Sequence, residues 1–449
     1  MALRISIIGT GYVGLVTGVC LSDKGHDVTC VDIDRTKVDR INRGEAPIHE
    51  DGLEELLLRK HAGKSLRATT DLNAAVRDSD ISFIAVGTPF DGQEIDLKYI
   101  RETATQIGAA LKTKGAYHVV VVKSTVVPGT TDTTVLPLLE HASGKTAGKD
   151  FGVGMNPEFL SEGVAIADFM NPDRIVLGGL DAKTLAVMDE VYAPLAGIPV
   201  LRTNCKTAEM IKYASNALQA TAISFANELG NLCASLGGID AVDVMAGMHL
   251  MKELNPLVAP SGNLRVRAGI TSFLFPGCGF GGSCFPKDVK ALAAHAKRAG
   301  AFVPMLESVL AINAQQPHKL NAILKKHLDD LRGVKVAVLG LAFKPGTDDV
   351  RESPAIPVVN DLIEAGAIVR AYDPIATENA RKVLGDRLTY AKSLPEVLEG
   401  ARAVVLVTRW EEFRQVPALI EKMENPPLLV DGRRMIAKDA VTRYAGIGL

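Results

Sequence analysis

Leu3-Arg4-Ile5-Ser6-Ile7-Ile8 runs directly into Gly9-Thr10-Gly11-Tyr12-Val13-Gly14, and the reading of this stretch decides the fold. The first half is an apolar, β-branched run of strand type, and the glycines open a 3.6-periodic pattern over residues 15–24. Glycines at this place permit a tight turn and a close backbone approach, so that a pyrophosphate can rest on helix N–H groups. Residues 28–31 form the next strand pattern, and Asp32 stands at its end, where an acid binds both ribose hydroxyls and repels the extra phosphate of NADP. NAD is the expected cofactor, with Gly9, Gly11, Tyr12, Val13, Gly14 and Asp32 around it and Lys37 within reach of its adenosine side. The competing reading is a glycine-rich turn in an unrelated α/β fold; strand, helix and acid all falling in place count against it.

Outward from this unit, short β-branched runs alternate with helical patterns over the first ~200 residues, as in a parallel α/β sheet. Strands are expected at residues 5–8, 28–31, 81–86, 119–123, 152–155 and 175–177, with helices such as 15–24 and 97–111 between them. From about Cys205 to Leu236 the pattern becomes one long helix without proline, which joins domains rather than sitting inside a sheet. At Gly333 a second α/β unit begins. Val334-Lys335-Val336-Ala337-Val338-Leu339-Gly340 mirrors residues 3–9, and Ile368-Val369-Arg370-Ala371-Tyr372-Asp373 parallels the strand that ends in Asp32. The expected fold is α/β, with two Rossmann-like doubly wound domains joined by a long central helix and a helical linker domain. The boundaries fall at residues 1–204, 205–325 and 326–449.

A chain of 449 residues is too long for one ordinary core, and 47% hydrophobic with 23% charged residues is ordinary globular composition. A formal charge of −2 and 5% aromatic residues argue against nucleic acid or an acidic membrane as partner. The N-terminus lacks signal-peptide features, and no apolar run reaches the ~18 residues of a membrane span, so a cytoplasmic protein is expected. Six cysteines without CxxC spacing fit neither a disulfide framework nor a zinc site, and no metal is expected.

Gly281-Gly282-Ser283-Cys284-Phe285-Pro286-Lys287-Asp288 is the sharpest chemical feature. A thiol in a glycine loop, three residues before Lys287, could have its thiolate favoured by that charge and attack an aldehyde. Its alternative is a structural thiol, the reading favoured for Cys278 and the other cysteines. Asn156-Pro157-Glu158-Phe159-Leu160-Ser161-Glu162-Gly163 places two carboxylates four residues apart, reachable as one helical face, and either could activate water; a solvated helix start is the alternative. Lys212 and Asn216, also four apart, could stabilise an alkoxide or lie on a solvated face. Val86-Gly87-Thr88-Pro89 and Lys123-Ser124-Thr125-Val126 end strands, where an open parallel sheet lines its ligand crevice; ordinary turn chemistry would use the same residues.

These segments together resemble the UDP-glucose/GDP-mannose dehydrogenase family over nearly the whole chain. The stretch GFGGSCFPKD from Gly279 and the stretch LGLAFKPGTDDVRESP from Leu339 carry the most specific part of that resemblance. It implies an NAD-dependent, twofold oxidation of a nucleotide sugar, with UDP-glucose expected first and GDP-mannose or a UDP-N-acetylhexosamine as alternatives. A single-step hydroxyacid dehydrogenase, which would need no nucleophilic thiol, and a non-catalytic NAD-binding protein, which would need only the first domain, are the competing readings of other classes. Cys284 matches the family nucleophile, Glu158 the base for thioester hydrolysis, and Lys212, Asn216 and Asp288 the groups that stabilise oxyanions and order water. Thr125 matches a residue at the cofactor–substrate junction, and Thr88, Glu162, Lys287 and Arg351 fall on the cofactor side. Phe159, Leu160, Glu162, Phe273, Gly277, Gly281, Phe343, Lys344 and Arg434 match substrate contacts. A homodimer built on the long helix, or a higher homo-oligomer, is implied as well. In many UDP-glucose members an arginine stands five residues before the Phe of a Phe-Leu pair; here that place is Ala268, with Arg265 and Arg267 nearby. Where GDP-mannose members carry an arginine before the cysteine loop, this chain has Phe275.

Overall fold

The structure is a computed structural model that describes residues 2–258 and 263–449. It divides into two compact units, Met1–Ser215 and Asn216–Leu449.

The first unit is an eight-stranded sheet. Its strands are β1 (Arg4–Ile8), β2 (Asp27–Val31), β3 (Leu66–Thr69), β4 (Ile81–Ile84), β5 (Val119–Val122), β6 (Gly152–Met155), β7 (Ile175–Gly179) and β8 (Val200–Thr203). The order is β3-β2-β1-β4-β5-β6-β7-β8. The first six positions follow the doubly wound dinucleotide-binding order, and the pairs among them are parallel. Strands such as β5, four consecutive buried valines, read as continuous apolar runs because helices cover both faces of such a sheet. The expected all-parallel sheet needs one correction. β7 runs antiparallel to β6 through Gly154↔Gly179 and Met155↔Gly178, and β8 then pairs parallel to β7. Side chains leave little room at this junction: a Cβ on Gly154 would lie 2.5 Å from the Met188 sulfur and 2.9 Å from the Gly178 carbonyl.

The second unit repeats the pattern with β9 (Lys335–Leu339), β10 (Ile368–Tyr372), β11 (Thr389–Tyr390), β12 (Ala403–Leu406), β13 (Leu428–Asp431) and β14 (Tyr444–Gly446). Their order, β11-β10-β9-β12-β13-β14, is the same 3-2-1-4-5-6 arrangement, and every pair is parallel. The fold class read from the sequence is therefore the one observed. The long helix spans Cys205–Leu236, as its unbroken pattern predicted. No helix among the described residues is long and apolar enough to cross a membrane.

Candidate active site and family

In the first unit the glycine turn has the shape its sequence demands. Gly9 has φ +102, and a Cβ there would meet the Ala85 carbonyl oxygen at 2.6 Å. A Cβ on Gly14 would lie 1.9 Å from the Gly9 carbonyl oxygen, so helix and turn can pack this closely only without it. Gly11 differs: a Cβ there would meet nothing within 4 Å. It is the N-cap of the helix Tyr12–Asp23, and no side chain caps that helix. Open N–H groups at a helix start, with empty space over the middle glycine, form a cradle for a diphosphate. Tyr12 has its hydroxyl engaged by the buried Glu50 carboxylate, which also accepts from Gly163 and Ala165 N–H at 2.6 Å.

Asp32 sits half-buried at the end of β2. Its carboxylate accepts from Thr10 N–H (2.8 Å), the Thr10 hydroxyl (2.5 Å) and Asp34 N–H (3.0 Å). Burial pushes this carboxyl up, but those bonds and the charge of Lys37 outweigh it and hold it below the usual range. The anion expected beside the ribose is thus secured. Next to it the side chain of Ile33 is 91% exposed, an apolar surface suited to a planar base that the sequence reading passed over. These residues fit NAD.

Beyond the strand ends, the Thr88 hydroxyl donates to the Thr125 carbonyl at 2.8 Å, and the Ser124 hydroxyl to the Val86 carbonyl at 2.7 Å. The two expected loops are thereby fastened together. Glu158, only 6% exposed, receives the Lys212 ammonium at 3.0 Å and Leu160 N–H at 2.6 Å. Burial raises the Glu158 carboxyl; the Lys212 charge, the Leu160 amide and the Lys123 charge together bring it below its ordinary value. Phe159 lies against Arg174 (4.0 Å) and Lys212 (5.6 Å). Lys212 is buried, so the solvated-face alternative falls. The expectation that Glu158 and Glu162 share a helical face is corrected: the segment is irregular, and the helix begins only at Ala165. Pro157 and Gly163, which has φ +86, bracket a segment whose amide at Leu160 bonds back to Glu158 instead of continuing a helix.

In the second unit Cys284 is the N-cap of the helix Phe285–Arg298 and is half-buried, whereas the other five cysteines are buried. A helix N-terminus favours a thiolate. Lys287 contributes less than expected, because its ammonium bonds Asp288 at 2.6 Å. Asp288, 1% exposed, also accepts from Asn216 at 2.6 Å, which makes a Lys287–Asp288–Asn216 chain at the foot of the cysteine helix. The Ser283 hydroxyl is 3.6 Å from the thiol. Phe273 and Phe280 pack on Phe285 with ring centroids 6.2 and 6.0 Å apart.

The glycine loop does fold closely around something, and that something is the 343–352 segment. A Cβ on Gly281 would lie 2.2 Å from the Glu352 carbonyl oxygen and one on Gly282 would lie 2.7 Å from the Phe343 ring, while Gly282 N–H bonds the Arg351 carbonyl at 2.8 Å. Gly277 N–H bonds Asn227 of the long helix at 2.7 Å. Lys344 lies 5.7 Å from the Phe343 ring, and exposed Arg351 is braced by Asp349 at 2.7 Å. Arg434 is a different case. It has φ +49, and its guanidinium is buried against Asp240 (2.9 Å), the Ile447 carbonyl (3.0 Å) and the Tyr444 hydroxyl (3.2 Å). The residue expected as a substrate arginine is thus held by an ion pair inside the unit. Among the described residues no cluster of metal-ligating side chains occurs.

Comparison with known proteins agrees with this arrangement. Residues 3–196 match the NAD binding domain, 206–315 the central domain and 337–438 the UDP binding domain of the UDP-glucose/GDP-mannose dehydrogenase family. A UDP-glucose 6-dehydrogenase of Haloferax volcanii is 42% identical, over 97% of this chain and 98% of that one. A GDP-mannose 6-dehydrogenase of Pseudomonas aeruginosa is 44% identical, over 83% and 81%. The solved UDP-glucose dehydrogenase of the archaeon Pyrobaculum islandicum is 37% identical and superposes with a TM-score of 0.91, covering 100% of this chain and 98% of that one. The chain belongs to the UDP-glucose/GDP-mannose dehydrogenase family and carries its NAD-binding domain at the N-terminus.

Proposed function

We propose that this protein oxidises the C6 alcohol of UDP-glucose to the carboxylate of UDP-glucuronate in two steps, with Cys284 as covalent catalyst. NAD⁺, when bound, supplies the hydride acceptor for each oxidation, and Gly9, Gly11, Gly14 and Asp32 would hold it. The observation that carries the reading is Cys284 itself: an accessible thiol at a helix start, above the bonded chain Lys287–Asp288–Asn216.

The alcohol loses a proton and a hydride to give the aldehyde. The Cys284 thiolate adds to the aldehyde carbonyl, and Lys212 and Asn216 stabilise developing oxyanions. The thiohemiacetal loses a second hydride and becomes a thioester. Water adds to the thioester carbonyl as Glu158 takes its proton; the C–S bond breaks and the thiolate is released. Covalent retention keeps the aldehyde from escaping between the oxidations. Thr125, Glu162, Lys287 and Arg351 serve the cofactor side, and Phe343 and Lys344 the nucleotide sugar.

A division at residues 1–204, 205–325 and 326–449 belongs to the same proposal, with the middle part forming a homodimer. Leu218, Phe225 and Leu232 stand exposed at seven-residue intervals along the long helix, a stripe that a second helix would cover.

The test is NADH formed per sugar, with UDP-glucose, GDP-mannose and UDP-N-acetylmannosamine each limiting. Two NADH per UDP-glucose, and none with the others, is expected. Two with GDP-mannose would keep the mechanism and replace the substrate. One per sugar would remove the thioester step.

A further inference from the structure

Lys123 is a buried lysine without a part in the mechanism above. It follows β5 directly, is 4% exposed, and reaches sideways to the next strand end. Its ammonium donates to the Asn156 side-chain oxygen at 2.8 Å and to the Tyr192 hydroxyl at 3.5 Å. Tyr192 donates to the same Asn156 oxygen, and the Asn156 amide donates to the Val176 carbonyl at 2.8 Å. Asn156 N–H in turn bonds the Val122 carbonyl at 2.9 Å. One residue past β5 is thus locked to one residue past β6, and Glu158 stands two residues further on. The hydrogen-bond partners of this ammonium are neutral, and a charge buried among neutral partners is costly. The compensating charge nearby is Glu158, which Lys212 contacts from another element.

We propose that Lys123 is a positioning residue for thioester hydrolysis: it fixes the Asn156–Glu158 turn and shares with Lys212 the charge of the Glu158 carboxylate. The inference rests on Glu158 acting as the hydrolytic base. The groups facing Lys123 are Glu158, Lys212 and the Tyr192 phenol. Burial pushes the Lys123 ammonium down to about 8, with Glu158 pulling it up and Lys212 pushing it further down. Tyr192 is raised by burial and stays neutral. Two cations keep Glu158 ionised and aimed; with one removed, it takes up a proton more readily as pH falls.

The experiment measures decay of the acyl-enzyme by quenched intact mass, at pH 5 and pH 8, in the full-length protein. Lys123→Met should hydrolyse within about threefold of the native rate at pH 8 but fall about a further threefold behind it at pH 5, the scale of losing one neighbouring charge while Lys212 remains. Asn156→Asp, which is nearly isosteric and gives Lys123 a carboxylate of its own, should show the same acid-side loss and guards against a folding defect in the first variant. A mutant-to-native ratio that is the same at both pH values, in either folded variant, overturns the proposal. Glu158→Gln separates the two levels. If it fails to accumulate acyl-enzyme, the reading of Glu158 itself is wrong; if it accumulates and the ratio is flat, only the role of Lys123 falls.

Discussion

Replacing Gly11 with alanine separates the needs of the fold from those of the ligand. Gly11 has φ −68 and ψ −172, which alanine adopts freely, and its Cβ would meet nothing within 4 Å. The unliganded protein should therefore keep its stability to within about 0.5 kcal/mol. The same methyl group stands in the cradle where a diphosphate must approach the backbone, so NAD should bind at least tenfold more weakly. At a concentration 100 times the native Kd, NAD stabilises the native first unit by about 2.7 kcal/mol; tenfold weaker binding leaves about 1.4 kcal/mol. For a unit of this size 1 kcal/mol moves Tm by roughly 2–4 °C, so the NAD-induced rise should fall from about 5–10 °C to about half that. Gly14→Ala is the control in the other direction. Its methyl would sit 1.9 Å from a backbone oxygen, and overpacking of this kind costs about 1–3 kcal/mol or more, so Tm should drop even without NAD. Thermal melts of both variants with and without NAD decide the matter. A Gly11→Ala protein with the full native rise would refute the cradle, and a Gly14→Ala protein with the native unliganded Tm would refute the packing.

Three further outcomes are expected. Cys284→Ser should lose at least a thousandfold in carboxylate formation, the scale of removing a covalent nucleophile, while NAD-induced stabilisation is unchanged; ordinary turnover would end the covalent role. Burial lowers His118 from 6.5 to about 3, so its neutral form is the one that favours folding. Its contribution is full above pH 6.5 and is lost as pH falls toward 3, a difference on the order of 5 kcal/mol at 1.36 kcal/mol per pH unit; His118→Asn should flatten that part of the urea-midpoint profile. Phe225→Asp with Leu232→Asp should convert a sedimenting dimer to monomer, and an unchanged sedimentation coefficient would place the dimer contact elsewhere.

What the sequence disclosed follows from how its signals are made. The long helix was legible to its ends because thirty-two residues without proline admit little else. β3 and β8 were passed over, and both are short edge strands in which exposed Arg67, Leu201 and Arg202 break any buried run. The reversal of β7 could not be read, since the close approach of Gly154 to Gly178 that accompanies it exists only once the strands are paired. The same holds at the site. Cys284 and the glycine turn announce themselves by residue type, whereas the ion pair of Arg434 with Asp240, distant in sequence, leaves no mark in the pattern. Lys123 stands out in the sequence only as part of a strand-end motif, because nothing in one sequence shows a lysine to be buried.

The two sheets also differ in what surrounds the acid at the end of the second strand. Asp32 and Asp373 occupy equivalent positions, each after the strand that pairs with the first of its sheet. Asp32 bonds Thr10 and Asp34 and remains half-exposed beside the open Ile33. Asp373 is buried and accepts from the amides of Leu341, Ala342, Ile375 and Ala376 and from the Trp410 indole at 3.1 Å. Its oxygens are occupied by the unit's own turn. The first glycine is tight in both turns, a Cβ on Gly340 meeting Thr408 at 2.4 Å as one on Gly9 meets Ala85 at 2.6 Å; the difference lies two residues on, where Ala342 is buried and Gly11 has open space. At that position the second turn is filled by its own side chain, and its acid is taken up by the unit's own donors. The first unit therefore keeps an open turn beside a half-exposed carboxylate and the second does not; of the side chains that follow the second turn, Phe343 and Lys344 are half-buried and Arg351 is exposed.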